Sequence, residues 1–192
     1  MRLYVPVLLG SSRIARRSGH VANLIVNALR DRQGAATELF DLAEYELPLM
    51  VQRFEDMLEP PVLLAKLRQG LREADGLIIV APEYKNAYPG VLKNALDYFE
   101  AGILNRKPVG IATVSSGGFG GINCLAQLRL VCLAMGGLPI PAAFPVSHVK
   151  EAFSETGELV DEGLTRKLDY FLDELIWFTE ALATHSRTKP TL

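Results

Sequence analysis

The sequence predicts an α/β fold, a parallel β-sheet covered by helices on both faces. Three observations carry that prediction. Five short, largely apolar segments, residues 3–9, 36–40, 76–81, 109–114 and 142–147, have the length of buried strands. They alternate with segments whose apolar residues recur at helical spacing. The chain of 192 residues is 49% apolar and 22% charged with a net charge of −2, which excludes disorder, since disorder needs low hydrophobicity and high net charge.

Each helical stripe can be read directly. Val21, Leu24, Ile25, Ala28 and Leu29 step i, i+3, i+4, i+7, i+8 and mark the first helix. Leu64, Leu67 and Leu71 mark the second, and Leu92, Ala95, Leu96 and Phe99 the third. Leu125, Leu128, Cys132 and Met135 mark the fourth. Leu168, Phe171, Leu172, Leu175, Thr179 and Leu182 mark the last and longest, with Trp177 expected at the edge of its buried face. Five strand–helix repeats require a parallel sheet with helices on both sides, because parallel connections are right-handed crossovers. With five strands the expected arrangement is a flavodoxin-like three-layer sandwich of order 2-1-3-4-5. Residues 43–61 carry Pro48, Pro60 and Pro61 and no periodicity, so they are expected to form a long loop, a lid or a partner-contacting arm. No composition shift marks a boundary, and residues 1–192 are taken as a single domain.

Several classes fall away. No basic field covers the chain, so neither nucleic acid nor an anionic membrane is an expected partner. No apolar run approaches the ~18 residues of a membrane span, and the start MRLYVPVLLGSS resembles a strand more than a secretion signal. Cys124 and Cys132, eight apart on one expected helix, lie too far apart to bridge. Free thiols fit a reducing cytoplasm. Neither cysteine has a close His or Cys partner, so no metal site is expected.

In open parallel sheets, ligands bind beyond the carboxyl ends of the strands at the point where strand order reverses. After strand 1 comes Gly10-Ser11-Ser12-Arg13-Ile14-Ala15-Arg16-Arg17-Ser18-Gly19, with three arginines where a helix begins. Free N–H groups and guanidinium groups at such a place favour a phosphate. Ser18 also fits as a plain helix N-cap. The loop is neither GxGxxG nor a Walker A sequence, which argues against a dinucleotide or nucleoside-triphosphate cradle. After strand 3 comes the aromatic, turn-rich Pro82-Glu83-Tyr84-Lys85-Asn86-Ala87-Tyr88-Pro89-Gly90, and after strand 4 comes Ser115-Ser116-Gly117-Gly118-Phe119-Gly120-Gly121. Glycine clusters let a backbone come close to a ligand.

These residues resemble the NADPH-dependent FMN reductases, flavodoxin-like flavoproteins that include quinone, azo-dye and chromate reductases. The resemblance rests on Gly10-Ser11-x-Arg13 with Ser18, on Pro82-Glu83-Tyr84 with Pro89-Gly90-x-Leu92-Lys93-Asn94-Ala95, and on Gly117-Gly118-x-Gly120-Gly121 with Gln127-Leu128-Arg129. It implies that Ser11, Arg13 and Ser18 hold the FMN phosphate with help from Arg17. It implies that Pro82, Glu83 and Tyr84 line the isoalloxazine, with Lys85 and Asn86 in the same loop. Ser116, Gly117, Gly118 and Gly120 would form the loop on the ring's other side. Two positions depart from the pattern. Many members have Asn directly after Pro-Glu-Tyr, where this chain has Lys85 and then Asn86, and many have Arg where this chain has Asn123. Lys85 either faces the ring, where a cation would stabilise the reduced flavin, or faces solvent.

The resemblance further implies an enzyme. Hydride would pass from NADPH or NADH to FMN, and then electrons to a quinone, an azo compound or free flavin. A non-enzymatic electron carrier is the alternative, although such carriers tend to be strongly acidic and this chain is not. No protein nucleophile or general base is needed, and His20, His148 and His185 are scattered, with His148 expected at the surface. Val91, Tyr98 and Tyr88 fall on a second face of the third helix. That face is the expected interface of a homodimer or homotetramer.

Overall fold

The computed structural model describes residues 2–188. Its centre is a five-stranded parallel sheet formed by β2 (Val7–Leu9), β4 (Leu39–Asp41), β5 (Leu77–Pro82), β6 (Pro108–Val114) and β7 (Leu138–Val146), in the order β4-β2-β5-β6-β7. This is the expected 2-1-3-4-5 order with the strands counted in this sheet alone. β1 (Leu3–Tyr4) and β3 (Ala35–Ala36) pair in parallel and extend the β2–β4 pair at its amino end. Residues 3–9 therefore form one strand path broken in the middle. Pro6 lies between the halves and has no N–H to donate. Its neighbours keep the ladder, since Val5 N donates to the Ala36 carbonyl and Val7 N to the Glu38 carbonyl, both at 2.8 Å.

β7 begins at Leu138, four residues before the sequence reading starts it, and carries Pro139, Pro141 and Pro145. It is an edge strand, where the missing N–H groups interrupt no ladder.

Two helices cover one face and three the other. α1 (Ser18–Asp31) and α6 (Glu162–Thr188) bury Val21, Ile25, Leu29, Phe171, Leu172 and Leu175 against Val7, Leu9, Val80, Ala112 and Phe144. α2 (Val62–Glu73), α3 (Gly90–Asp97) and α4 (Ile122–Ala134) bury Leu64, Leu67, Leu92, Leu96 and Leu128 against Leu8, Ile79 and Ile111. Each such leucine or isoleucine removed from water contributes about 1.5–3 kcal/mol. A short α5 (Val149–Ala152) follows β7.

Two expectations change. Residues 43–61 form the expected long loop, held as a strap on α3. Asn94 accepts from Met50 N at 2.9 Å and donates to the Pro48 carbonyl at 2.8 Å. Tyr98 Oη also donates to Pro48 at 2.8 Å, and Phe54 N donates to the Tyr98 carbonyl at 2.7 Å. The strap thus covers the second face of α3: Tyr98 is buried and Tyr88 and Val91 are half-buried within the chain. On α4, by contrast, Ile122, Leu130 and Leu133 are exposed. Trp177 is 63% exposed, with its ring edge against Phe178, and is not a core residue.

Candidate functional site

The carboxyl ends of β2, β5, β6 and β7 converge on a cavity of about 380 Å³. Its walls are Arg13, Ala15, Arg16, Arg17, Ser18, Pro82, Glu83, Tyr84, Val114, Ser115, Ser116, Val149 and Lys150. β2 is followed by Gly10, whose N–H donates to the Val80 carbonyl at 2.8 Å. A Cβ there would lie 2.7 Å from Leu92, so only glycine lets the loop turn this close to α3.

The loop after β2 is held by charge. Arg16 pairs with Asp41 at the end of β4, and Arg17 Nη1 donates to the Ser154 carbonyl at 3.3 Å. Arg13 is exposed at the rim. Ser11 is fully buried, with its hydroxyl 2.9 Å from Tyr84 Oη and 3.5 Å from Arg13 N. Ser18 is not the N-cap: Arg17 occupies that place, with no side-chain cap bond. The Ser18 hydroxyl lies on the cavity wall, buried and without a hydrogen-bond partner. An unpaired buried hydroxyl costs about 1–3 kcal/mol. One beside three arginines at a helix start is ready for an anion.

The segment after β5 is a tight hairpin. Tyr84 N donates to the Ala87 carbonyl at 2.8 Å and Ala87 N to the Tyr84 carbonyl at 3.1 Å. Lys85 and Asn86 form the two-residue tip, both exposed and outside the cavity walls. The Glu83 carboxylate accepts from Cys124 N at 3.0 Å, which caps α4. Burial, with the Glu83 charge adding to it, pushes the Cys124 thiol up to about 12; burial pushes Cys132 up to about 12 as well. Neither is a reactive thiolate at neutral pH.

Of the loop after β6, Ser115 and Ser116 face the cavity, while Gly117, Gly118 and Gly120 lie beyond its walls. Gly118 abuts the exposed His148, and the Gly120 carbonyl accepts from Thr113 Oγ1 at 2.7 Å. Gly121 has φ +83°, the left-handed turn that starts α4.

Sequence reasoning missed Ala15, Arg16, Val114, Ser115, Val149 and Lys150 as wall residues. The last two were within reach. The end of the fifth strand obeys the same rule as the ends of strands 1, 3 and 4, and it lies beside strand 4.

Residues 3–151 match the profile of the NADPH-dependent FMN reductase family. The chain belongs to that family. It is an FMN-dependent NAD(P)H oxidoreductase, and FMN is its cofactor. This FMN reductase is 31% identical over 186 residues to the quinone reductase of Escherichia coli (strain K12), with 93% of this chain and 95% of that protein covered. It is 36% identical over 121 residues to the NADPH azoreductase of Bacillus sp. (strain OY1-2), with 63% of this chain and 67% of that protein covered. Among solved structures, the flavoenzyme NAD(P)H:(acceptor) oxidoreductase of Paracoccus denitrificans superposes with a TM-score of 0.75 at 23% identity. That match covers 94% of this chain and 98% of the other, and shows the shared fold. No helix among the described residues is long and apolar enough to cross a membrane.

Proposed function

We propose that the whole chain acts as one FMN-binding domain that passes electrons from NADPH or NADH to a planar quinone or azo acceptor. The carrying observation is the orphaned Ser18 hydroxyl, buried in the cavity wall between arginines and the first turn of α1. It fits a phosphate, which would give that oxygen the acceptor it lacks. Arg13, Arg17 and Ser18 hold the phosphate in this reading, and Ser11, buried behind the wall, supports them through its bond to Tyr84. Pro82, Glu83 and Tyr84 flank the ring together with Ser116, while Lys85, Asn86, Gly117, Gly118 and Gly120 shape the loops behind them. Bound FMN supplies the hydride and electron chemistry, and the protein binds and orients it.

The chain's own residues define the acceptor side. Phe119, 86% exposed on the glycine loop, and Ile122 beside it offer an apolar surface suited to a planar ring. The relatives named as quinone reductase and azoreductase support the same acceptor class. Homo-oligomerisation, as a dimer or tetramer, is supported by the uncovered Ile122, Leu130 and Leu133 of α4. A cytoplasmic setting is supported by the free, buried thiols of Cys124 and Cys132.

The test is spectroscopic. The purified protein with added FMN shows a bound-flavin spectrum, and anaerobic NADPH or NADH bleaches it. A quinone or an azo dye then restores the colour. A protein that never takes up FMN overturns the site, and one whose flavin resists both nicotinamides is a carrier. Light scattering reads the assembly, and a monomer removes the role given to α4.

A further inference from the structure

Two consecutive residues beside the cavity are held in the left-handed conformation, which the first of them disfavours. Lys85 has φ 52° and Asn86 φ 63°, the mirror-image two-residue turn whose preferred sequence is Asn-Gly. Asparagine tolerates the left-handed region, whereas lysine disfavours it because its Cβ is brought close to the following carbonyl oxygen. The two backbone bonds between Tyr84 and Ala87 close the turn but cannot by themselves hold its angle against the rest of the molecule.

Three outside contacts do. Tyr84 Oη meets Ser11 Oγ at 2.9 Å, the Glu83 carboxylate accepts from Cys124 N at 3.0 Å, and Gln127 Nε2 donates to the Asn86 carbonyl at 2.6 Å. Cys124 and Gln127 are i and i+3 on α4, hence on one helix face. α4 therefore grips the hairpin at its base and at its tip. At the tip bond, neither Gln127 nor Asn86 belongs to the cavity walls.

We propose that Gln127 is a positioning residue. It fixes the 83–87 hairpin at the height where its backbone meets the flavin ring, and so sets the relative affinity for oxidised and reduced FMN. It touches neither cofactor nor acceptor. The inference rests on the ring lying against Pro82, Glu83 and Tyr84, as proposed above.

Two measurements test it, and the first needs no flavin. In the FMN-free chain, Gln127→Met keeps the side-chain length and loses the donor. The Ala87 amide then exchanges with solvent at least tenfold faster, while the amides of β5 hold their rates. Adding Lys85→Asn with Asn86→Gly supplies the turn's preferred pair and restores slow exchange. Unchanged exchange at Ala87, or an equal acceleration throughout β5, overturns the anchor. In the second measurement, FMN-loaded Gln127→Met binds oxidised FMN within threefold of the parent. Its ratio of affinities for oxidised and reduced flavin shifts about tenfold, which is about 30 mV in the midpoint potential of a two-electron couple. An unchanged potential overturns the effect on the ring. A chain that never takes up FMN overturns the reading beneath it and the effect on the ring together. The exchange result stands or falls by itself.

Discussion

The two ends of the sheet carry hollows of nearly the same size, and they differ in what their polar atoms still have to offer. At the carboxyl end the cavity is about 380 Å³, and at the amino end a groove of about 390 Å³ runs past Leu3, Arg32, Gly34, Ile176, Trp177 and Glu180. In the groove, the Arg32 guanidinium is committed. It donates to Asp169 at 2.9 Å, to Asp173 at 3.2 Å and to the Ala28 carbonyl at 3.2 Å. In the cavity, Arg13 stands at the rim with no ion pair among the described residues, and the Ser18 hydroxyl has no partner at all. Volume does not distinguish the two hollows. Unspent cationic donors do, because an anionic ligand must recover in the site the bonds it gives up to water.

That comparison predicts the largest effect at Arg13. Bonds to a charged group are worth about 1.5–3 kcal/mol, so Arg13→Ala raises the FMN dissociation constant roughly 10- to 100-fold. Arg32→Ala leaves it within about twofold, because the pairs that Arg32 makes are exposed and far from the cavity. Quenching of FMN fluorescence on titration measures both, and equal losses would break the distinction between the two ends.

Ser18→Ala gives a smaller effect with opposite signs in two assays. Removing a buried hydroxyl that has no partner stabilises the FMN-free chain by about 1 kcal/mol, while FMN affinity falls about tenfold. A thermal melt and the same titration check it. A destabilised FMN-free chain would mean that the hydroxyl is already satisfied.

The smallest effect is at His20, in the first turn of α1 and stacked on Phe153. Burial, and then the nearby Arg17 charge, lower its pKa below the ordinary 6.5. The unfolded chain therefore takes up the proton first. The stability tied to neutral His20 is present above about pH 6.5 and is lost as pH falls from there towards the folded value. His20→Phe removes that part of the acid sensitivity, as pH-dependent denaturation would show. A variant with an unchanged acid profile would mean that neither burial nor the Arg17 charge lowers the His20 pKa.

Part of the candidate site is legible in the sequence because loop chemistry is local. Arg13, Arg17, Ser18, Pro82, Glu83, Tyr84 and Ser116 all reach the cavity wall, each from a segment marked by its place at a strand end. Lys85 and Asn86 lie in the same marked segment and still miss the wall, because the two-residue turn carries them to its tip. Arg16 illustrates the converse. Its charge is plain in the sequence, but its pairing with Asp41, 25 residues away, depends on β2 and β4 lying side by side.

The sequence by itself determined the layers, the strand order and the strand ends where a ligand would sit. Apolar periodicity and the handedness of parallel crossovers are local and geometric constraints, and they leave few alternatives. Tertiary structure alone decided which charges remain free, which apolar side chains stay exposed and which distant side chain holds the 83–87 hairpin. The strap covers α3 while Ile122, Leu130 and Leu133 of α4 stay exposed, Asp41 takes Arg16, and Gln127 reaches Asn86 across 41 residues of chain. Those outcomes depend on which groups are brought within about 3 Å of one another. Only the closed fold sets such distances.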